Sequence, residues 1–104
     1  MPTPNRGEVW LVDLGMVAQV RPCLAISIPA LEQDRALVTI VPHTTSSRGS
    51  RFEVAVNVRF LKSGVFDAQN LTTISEAKLL RKLGILTPPQ LSLVEDAVRQ
   101  WLRL

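Results

Sequence analysis

Residues 36–41 read ALVTIV, and this run of apolar and β-branched side chains indicates a strand buried on both faces. Pro42 marks its end, and the nine residues that follow, 43–51 (HTTSSRGSR), carry no aliphatic side chain and so cannot belong to a core. On the N-terminal side, residues 8–14 (EVWLVDL) and 23–28 (CLAISI) indicate two further strands. The first half of the chain therefore predicts a sheet.

The second half of the chain adds shorter strands and then helices. Strand-like segments are expected at 52–56, 59–61, 65–68 and 71–74, with a turn at 62–64. Ser75 is expected to cap a short helix over 76–82 that Gly84 ends in the left-handed conformation. Thr87 and Pro88 begin a second helix with apolar side chains at helical spacing. Strands followed by terminal helices predict an α+β domain, a small bent antiparallel sheet or barrel with helices appended.

Length and composition predict one domain, residues 1–104, with enough apolar residues (46%) for an ordinary interior. No run of about 18–20 apolar residues is present, so we expect no membrane span. The N-terminal residues lack an apolar stretch after Arg6, which predicts no signal peptide and a cytoplasmic address. The single cysteine, Cys23, suits a reducing compartment and is expected to be a small buried residue.

The chemistry-bearing residues exclude several classes of site. One histidine and one cysteine are too few for zinc, and the nine acidic residues form no Asp-x-Asp pattern for two-metal catalysis. No two glycines stand close enough for a phosphate-binding loop, and His43 has no evident partners for a hydrolase triad. The sequence therefore predicts neither a metal site nor a cofactor.

Positive charge is concentrated in one stretch. The chain has a net charge of +3, and nine of its twelve basic residues are arginine, which suits phosphate recognition. Residues 43–62 alone hold four basic residues against Glu53, a local excess equal to that of the whole chain. This patch favours an anionic partner, nucleic acid first and an acidic protein second. A solvated basic loop is the alternative interpretation.

Arginine and hydroxyl groups are sufficient for one reaction that needs no metal. RNA carries its own nucleophile, the 2′-OH, so a protein can cleave it by orienting that hydroxyl and stabilising the charge that grows on the phosphate. Arg21 and the hydroxyl cluster at 44–47 are the candidates. The alternative interpretation is structural: Arg21-Pro22 begins a strand, and Thr44-Thr45 marks a polar turn.

Several short motifs, in order, resemble the MazF/PemK-type toxin endoribonucleases. They are RGEVW at 6–10, Arg21-Pro22 at the start of an apolar strand, VPHTT at 41–45, FEV at 52–54, QNLTTI at 69–74 and the segment 79–84. The resemblance spans nearly the whole chain. It implies an SH3-like, CcdB/PemK-like antiparallel barrel with short flanking helices and a C-terminal helix. It further implies a cytoplasmic homodimer that cleaves single-stranded RNA (mRNA) sequence-selectively without metal and is neutralised by a cognate antitoxin.

The resemblance also assigns candidate site residues. The family's catalytic arginine corresponds to Arg21 and its catalytic threonine to Thr44. Because a guanidinium with a pKa above about 12 is a poor proton shuttle, charge stabilisation is the role we expect for Arg21. Thr44 is expected to hydrogen-bond the scissile phosphate or its 2′-OH.

Four neighbouring residues are expected to bind RNA. Thr45 adjoins the catalytic threonine, and Arg48 and Arg51 would contact the RNA backbone from the loop. His43 would stack on a base or move a proton if it faces the groove, and otherwise packs at the end of its strand.

One departure from the family and one rival function stay open. Many members carry an arginine where this chain has Thr72. Loss of that arginine would alter the target preference or weaken the activity. A non-enzymatic CcdB-like toxin that binds gyrase has a similar fold and a C-terminal tryptophan, as this chain has at Trp101. An inactive RNA-binding relative is the third possibility.

Overall fold

The computed structural model describes residues 3–16 and 19–104. Seven strands and one α-helix follow one another in this part of the chain, with single 3₁₀ turns at Ala68–Asn70 and Glu76–Lys78. The elements are β1 (Glu8–Asp13), β2 (Val20–Ala25), β3 (Leu37–Thr44), β4 (Glu53–Ala55), β5 (Val65–Asp67), β6 (Thr72–Ser75), β7 (Leu79–Ile85) and α1 (Pro88–Leu102).

The strands form one antiparallel sheet with β3 at its centre. The strand order is β4-β5-β3-β2-β1-β7, and β6 pairs with the first half of β3 while β5 pairs with its end. Within the described residues β4 and β7 are not paired to each other, so the sheet stays open. The predicted α+β class is thus confirmed, in an open form of the SH3-like barrel.

Each face of the sheet buries its own apolar cluster. Val9, Leu24 and Val41 face α1, together with Phe66 and the helix residue Val94. The opposite face buries a second cluster: Val12, Cys23, Ala25, Val38, Ile40 and Leu79. Successive residues of β2 and β3 thus point to opposite sides, as strand geometry requires, and both faces of β3 are packed, as its sequence predicts.

The C-terminal helix begins where the sequence predicts. The Thr87 hydroxyl accepts a hydrogen bond from the backbone N–H of Gln90, and the Gln90 side chain accepts one from the backbone N–H of Thr87, which completes a capping box. Val94, Ala97 and Val98 form its buried stripe. This is the only α-helix in the described residues, and no helix there has the length and apolar character needed to cross a membrane.

The predicted helix over 76–82 is wrong. Ser75 does act as a cap, since its hydroxyl accepts from the backbone N–H of Ala77 at 3.2 Å, but only one 3₁₀ turn follows. The chain then extends as β7, because the edge of β1 is open for pairing and Leu79 fits the apolar cluster beside Val12. Gly84 has no left-handed role: a Cβ there would lie 2.3 Å from the Phe60 ring.

The expected strand at residues 59–61 is also wrong. The structure has turns there, while β5 (Val65–Asp67) pairs with β4 and with the end of β3. Phe60 is instead a packing residue whose ring lies against Gly84 of β7. The turn therefore covers the α1-facing side of the sheet without adding a strand.

Candidate active site and its two grooves

The pairing of β2 with β3 brings the two candidate catalytic residues together. Cys23 pairs with Pro42, and continuing this antiparallel register by two residues sets Arg21 opposite Thr44. Residues two apart on a strand share a face, so Arg21 and Thr44 project on the side of Cys23 and Pro42. Both residues are half-buried and line the same grooves.

The first groove, called here the Asp67 groove, has a volume of about 640 Å³. Strands β2, β3 and β6 supply its floor, and the 3₁₀ turns at Ala68–Asn70 and Glu76–Lys78 border it. Its lining residues are Asp13, Leu14, Gly15, Arg21, Pro42, Thr44, Asp67, Asn70, Thr72, Ile74, Ser75 and Lys78. Two cations and two carboxylates thus face one cleft.

The Thr44 hydroxyl is oriented by its own backbone. Its oxygen accepts a hydrogen bond from the N–H of Ser46 at 3.1 Å, a local turn that also begins the polar loop. A hydroxyl that accepts in this way keeps its own proton for donation. Thr44 can therefore donate a hydrogen bond to a group in the groove.

Asp13 and Asp67 supply the negative charge of the Asp67 groove. Asp13 accepts from the backbone N–H of Gly15 at 3.0 Å, and Asp67 accepts from the N–H of Gln69 at 3.2 Å. The second oxygen of Asp67 also accepts from the side-chain amide of Asn70. These bonds orient two carboxylates in the groove that Arg21 also lines.

Thr72, the departure from the family pattern, lies in the same groove. It pairs with Ile40 on the neighbouring strand and is exposed. A threonine in place of arginine removes one cation from this groove. Lys78 supplies a cation there, at the end of the 3₁₀ turn.

The second groove, called here the Arg81 groove, has a volume of about 500 Å³. Arg21 and Thr44 line it as well, so the two grooves meet at these residues. Its lining residues are Leu11, Gln19, Val20, Arg21, Pro22, His43, Thr44, Thr45, Ser46, Phe60, Leu61, Lys62, Arg81 and Leu83. Three of these are cations, and none is a carboxylate. Thr45 is exposed and lines this groove only.

His43 is packed at the end of its strand. Its side chain is 4% exposed, and its ring meets Phe66 edge-on with 5.0 Å between centroids. Burial lowers the pKa of its imidazole below the ordinary 6.5, and Nε2 has no hydrogen-bond partner among the described residues. A ring this buried offers no open face to a base, so its position fits the packing alternative and not the stacking contact.

The basic loop after Thr45 is organised around Glu53. The carboxylate of Glu53 accepts backbone N–H bonds from Arg48, Gly49 and Ser50 at 2.8–3.1 Å, and one from the hydroxyl of Ser47 at 2.9 Å. These bonds, the one from Arg48 foremost, lower the pKa of Glu53. The only acidic residue of the basic stretch therefore serves to fold the loop.

Arg48 and Arg51 are exposed and line neither groove. The Arg51 guanidinium lies 4.6 Å from the centroid of the Phe52 ring, and Phe52 in turn contacts Trp101 of α1 at 5.3 Å. These two arginines therefore lie outside the grooves that Arg21 and Thr44 line, where they can attract a long anion through their charge.

Sequence reasoning missed Lys78 and Arg81 as groove residues. Both fall in the segment that the capping signal assigns to a helix, whereas the structure has Lys78 at the end of a single 3₁₀ turn and Arg81 in β7. Arg81 pairs with Leu11 across β1 and β7, and residues paired in this way share a face of the sheet. Arg81 therefore lines the same groove as Leu11. Leu79 and Leu83, two residues to either side of Arg81, are a weak alternating signal that could have indicated a strand.

Over the described ranges, no group of three or more His, Cys, Asp or Glu residues could hold a metal ion. What Arg21, Thr44 and the groove carboxylates can do chemically is bind a phosphate, stabilise negative charge on it and accept a proton beside it. This is chemistry on a phosphodiester.

Comparison with known proteins agrees with this geometry. The family model for the PemK-like, MazF-like toxin of type II toxin-antitoxin systems matches residues 5–102. The endoribonuclease MazF4 of Mycobacterium tuberculosis is 32% identical over 98 residues, which cover 94% of this chain and 91% of that protein.

Solved structures show the same fold. An endoribonuclease in complex with its cognate antitoxin, from a mycobacterial species, superposes with a TM-score of 0.83 at 31% identity, covering 97% of this chain and 96% of that one. The Mycobacterium tuberculosis toxin MazF-mt6 superposes with a TM-score of 0.79 at 27% identity, covering 93% and 97%. The chain therefore belongs to the PemK-like, MazF-like toxin family of type II toxin-antitoxin systems.

Proposed function

We propose that this toxin is a metal-independent endoribonuclease that cleaves single-stranded RNA, mRNA in the cell, by attack of the substrate's own 2′-OH. The observation that carries the proposal is the placement of Arg21 opposite Thr44, on one face of the sheet and in one groove. One phosphate can touch both side chains there. The similarity to endoribonucleases of the family supports the same reaction.

Arg21 stabilises the charge of the transition state. As the 2′-oxygen attacks, negative charge grows on the non-bridging oxygens of the phosphate, and a guanidinium donates to both of them in a fixed geometry. The gain comes from electrostatic stabilisation that is greater in the transition state than in the ground state. Arg21 thus acts as a charge and a hydrogen-bond donor.

Thr44 anchors the same phosphate. Its oxygen is held by the N–H of Ser46, so its hydroxyl proton is donated to a phosphate oxygen. As the 2′-oxygen bonds to phosphorus, its proton goes to a carboxylate of the Asp67 groove, and the bond from phosphorus to the 5′-oxygen breaks. The departing 5′-oxygen takes up one proton from solvent and the carboxylate returns one, which leaves a 2′,3′-cyclic phosphate on one product and a 5′-hydroxyl on the other. Asp13 and Asp67 are the carboxylates among the described lining residues of this groove.

Binding of the longer RNA strand draws on the exposed basic loop. Arg48 and Arg51 attract the backbone through unscreened charge at low salt, and Thr45 donates beside the scissile phosphate. His43 supports the end of β3 under Thr44. Sequence selection follows from the groove, and Thr72, where the resemblance implies an arginine in many family members, alters the target preference or weakens the activity.

The remaining parts of the proposal concern partners. A cognate antitoxin binds this chain and blocks the groove, as supported by the antitoxin complex among similar structures. The active form is a homodimer in the cytoplasm. Neutralisation then needs only that the antitoxin chain cover Arg21 and Thr44, where the two grooves meet.

The decisive experiment is cleavage of a defined RNA in EDTA, with the cut ends mapped. We expect cutting of the all-ribose strand and none at a bond whose 5′-side sugar is 2′-deoxy. Equal cutting of both strands would refute attack by the 2′-OH. RNA that is bound but left whole would identify an inactive RNA-binding relative, and neither binding nor cutting would favour a protein target such as gyrase.

A matched pair of variants tests the role of Arg21. Arg21→Ala should abolish cleavage with the circular dichroism spectrum unchanged. Arg35→Ala, at an exposed position that lines neither groove, should cleave like the wild type. Cleavage by Arg21→Ala at the wild-type rate would remove this residue from the mechanism.

A further inference from the structure

The Arg81 groove lies on the other side of the sheet from the Asp67 groove, yet the two share Arg21 and Thr44. The pairing of Leu11 with Pro22 and with Arg81 sets these three residues in one row across the sheet. Continuing the β2–β3 register places His43 in the same row. Arg21 stands at the start of β2 and Thr44 at the end of β3, so the grooves meet at this end of the sheet. A strand of RNA whose scissile phosphate lies at Arg21 and Thr44 can therefore pass around this end from one groove into the other.

We propose that the Arg81 groove is a binding subsite for the nucleotide that flanks the cleaved bond, with Arg81 and Lys62 holding its phosphate. This inference rests on the proposed endoribonuclease function. It assigns a role to two basic residues that neither the site chemistry nor the basic loop accounts for.

Charge is the first argument. Arg21, Lys62 and Arg81 line the groove without a carboxylate, whereas the Asp67 groove balances Arg21 and Lys78 with Asp13 and Asp67. A uniformly positive cleft raises the local concentration of a polyanion and favours its phosphates over neutral groups. The flanking phosphate is thus drawn to the Arg81 groove, and the mixed groove is left for polar base edges.

Shape and apolar surface are the second argument. The volume of about 500 Å³ lies within the range of small-ligand clefts, roughly 300–1,000 Å³. Leu11, Phe60, Leu61 and Leu83 are half-buried and give this groove an apolar wall for a base. The Phe60 ring is held against Gly84, so the wall is fixed before any ligand binds.

Hydrogen-bonding capacity is the third argument. Thr45 and Ser46 follow Thr44 directly and place two further hydroxyls at the junction of the grooves. Both hydroxyls belong to exposed residues and are accessible to a ligand in the groove. A nucleotide brings hydroxyl and amino groups that suit these acceptors and donors, which a bare inorganic anion does not.

The test is binding of an oligoribonucleotide made uncleavable by 2′-O-methylation at the cut site. A second set of oligonucleotides has the same sequence and the same methylation. Each member of the set replaces a different flanking phosphate with a neutral methylphosphonate. For the wild type we expect one position at which neutralisation weakens binding by about tenfold or more, since a hydrogen bond to a charged group is removed. The Lys62→Gln/Arg81→Gln double variant should bind the fully charged strand more weakly than the wild type does, by about tenfold or more. Its affinity should not change when the methylphosphonate is introduced at that position.

Salt dependence gives a second readout. The slope of log K against log salt should fall by about 0.7 for each phosphate of the single strand that the protein no longer neutralises. Arg35→Gln is the control for removal of an exposed positive charge elsewhere and should keep the wild-type discrimination. Lys62 and Arg81 are both exposed, so we expect the double variant to fold, as circular dichroism would verify.

The two proposals fail in different ways. Wild-type protein that neither cuts nor binds RNA would overturn the endoribonuclease function. Wild-type protein that cuts RNA, beside a double variant that still discriminates the methylphosphonate strand, would overturn only the flanking subsite. A groove that binds an acidic peptide and shows no methylphosphonate effect would overturn it in the same way.

Discussion

Replacement of Thr44 by valine isolates the hydroxyl on which the mechanism depends. Valine keeps the β-branched shape at the end of β3 and removes only the oxygen. That oxygen has two roles: it accepts from the N–H of Ser46 at 3.1 Å, and it is proposed to donate to the scissile phosphate. The two roles predict effects of different size on stability and on rate.

The cost in stability should be small. The freed N–H belongs to Ser46, which is exposed and can bond water, so the loss is that of one ordinary hydrogen bond, about 0.5–1.5 kcal/mol or less. The cost in rate should be larger, because a hydrogen bond to a charged phosphate contributes about 1.5–3 kcal/mol. At about 1.4 kcal/mol per factor of ten, this lowers kcat/KM by roughly 10- to 150-fold, and the part that the transition state gains over the bound substrate appears in kcat.

Single-turnover cleavage of a defined RNA measures the rate, and urea unfolding measures the stability. Thr44→Ser restores the hydroxyl without the methyl group and should recover most of the rate. A folded Thr44→Val protein that cleaves as fast as the wild type would refute the proposed donation. A rate loss equal in Thr44→Ser and Thr44→Val would mean that packing at this position, and not the hydroxyl, is responsible.

Three further predictions concern neighbouring residues. Gly64→Ala should lower the free energy of unfolding by about 1–3 kcal/mol and slow cleavage. The reason is that a Cβ at this position would lie 2.3 Å from the Thr44 carbonyl oxygen and 2.8 Å from His43 Cε1. Urea melts and cleavage rates that match the wild type would contradict this prediction. Because burial lowers the pKa of His43 in the folded state, the unfolded chain binds the proton more readily, and stability should fall as the pH drops below 6.5. His43→Gln should lose that part of the pH dependence in melts recorded from pH 8 to 5, and an unchanged dependence would place its origin elsewhere. Burial raises the pKa of Cys23 to about 12, so iodoacetamide should alkylate it only after unfolding, and rapid labelling of the native protein would show that the thiol is accessible.

Local sequence signals predicted the elements whose identity is decided within a few residues. The run at 36–41 became the first part of β3 because its side chains satisfy both faces of a sheet, but Pro42 does not end the strand, which pairs on with β2 and runs to Thr44. Thr87 and Pro88 began α1 because a cap and a fixed φ act within one turn. The same reasoning failed over 76–82, where Ser75 does cap a turn but the open edge of β1 outweighs helix propensity.

The candidate site also has a part that local sequence predicted and a part that it could not predict. Arg21 and Thr44 could be chosen from the sequence because the resemblance rests on short motifs around each. Their meeting in one groove could not, since it depends on the register between β2 and β3. His43 and Thr44 are neighbours in the chain, yet strand alternation sends one into the packing around Phe66 and the other into the Asp67 groove.

The amino-acid sequence by itself determined the strand-rich α+β class, the absence of a multi-thiol centre, the basic stretch and the two residues that can act on a phosphodiester. Only the tertiary structure decided that Arg48 and Arg51 lie outside both grooves and that Lys78 and Arg81 line them. Charge and propensity are properties of single residues and short segments. Which charges share a cleft depends on strand pairing between segments far apart in the chain, and no local pattern encodes that pairing.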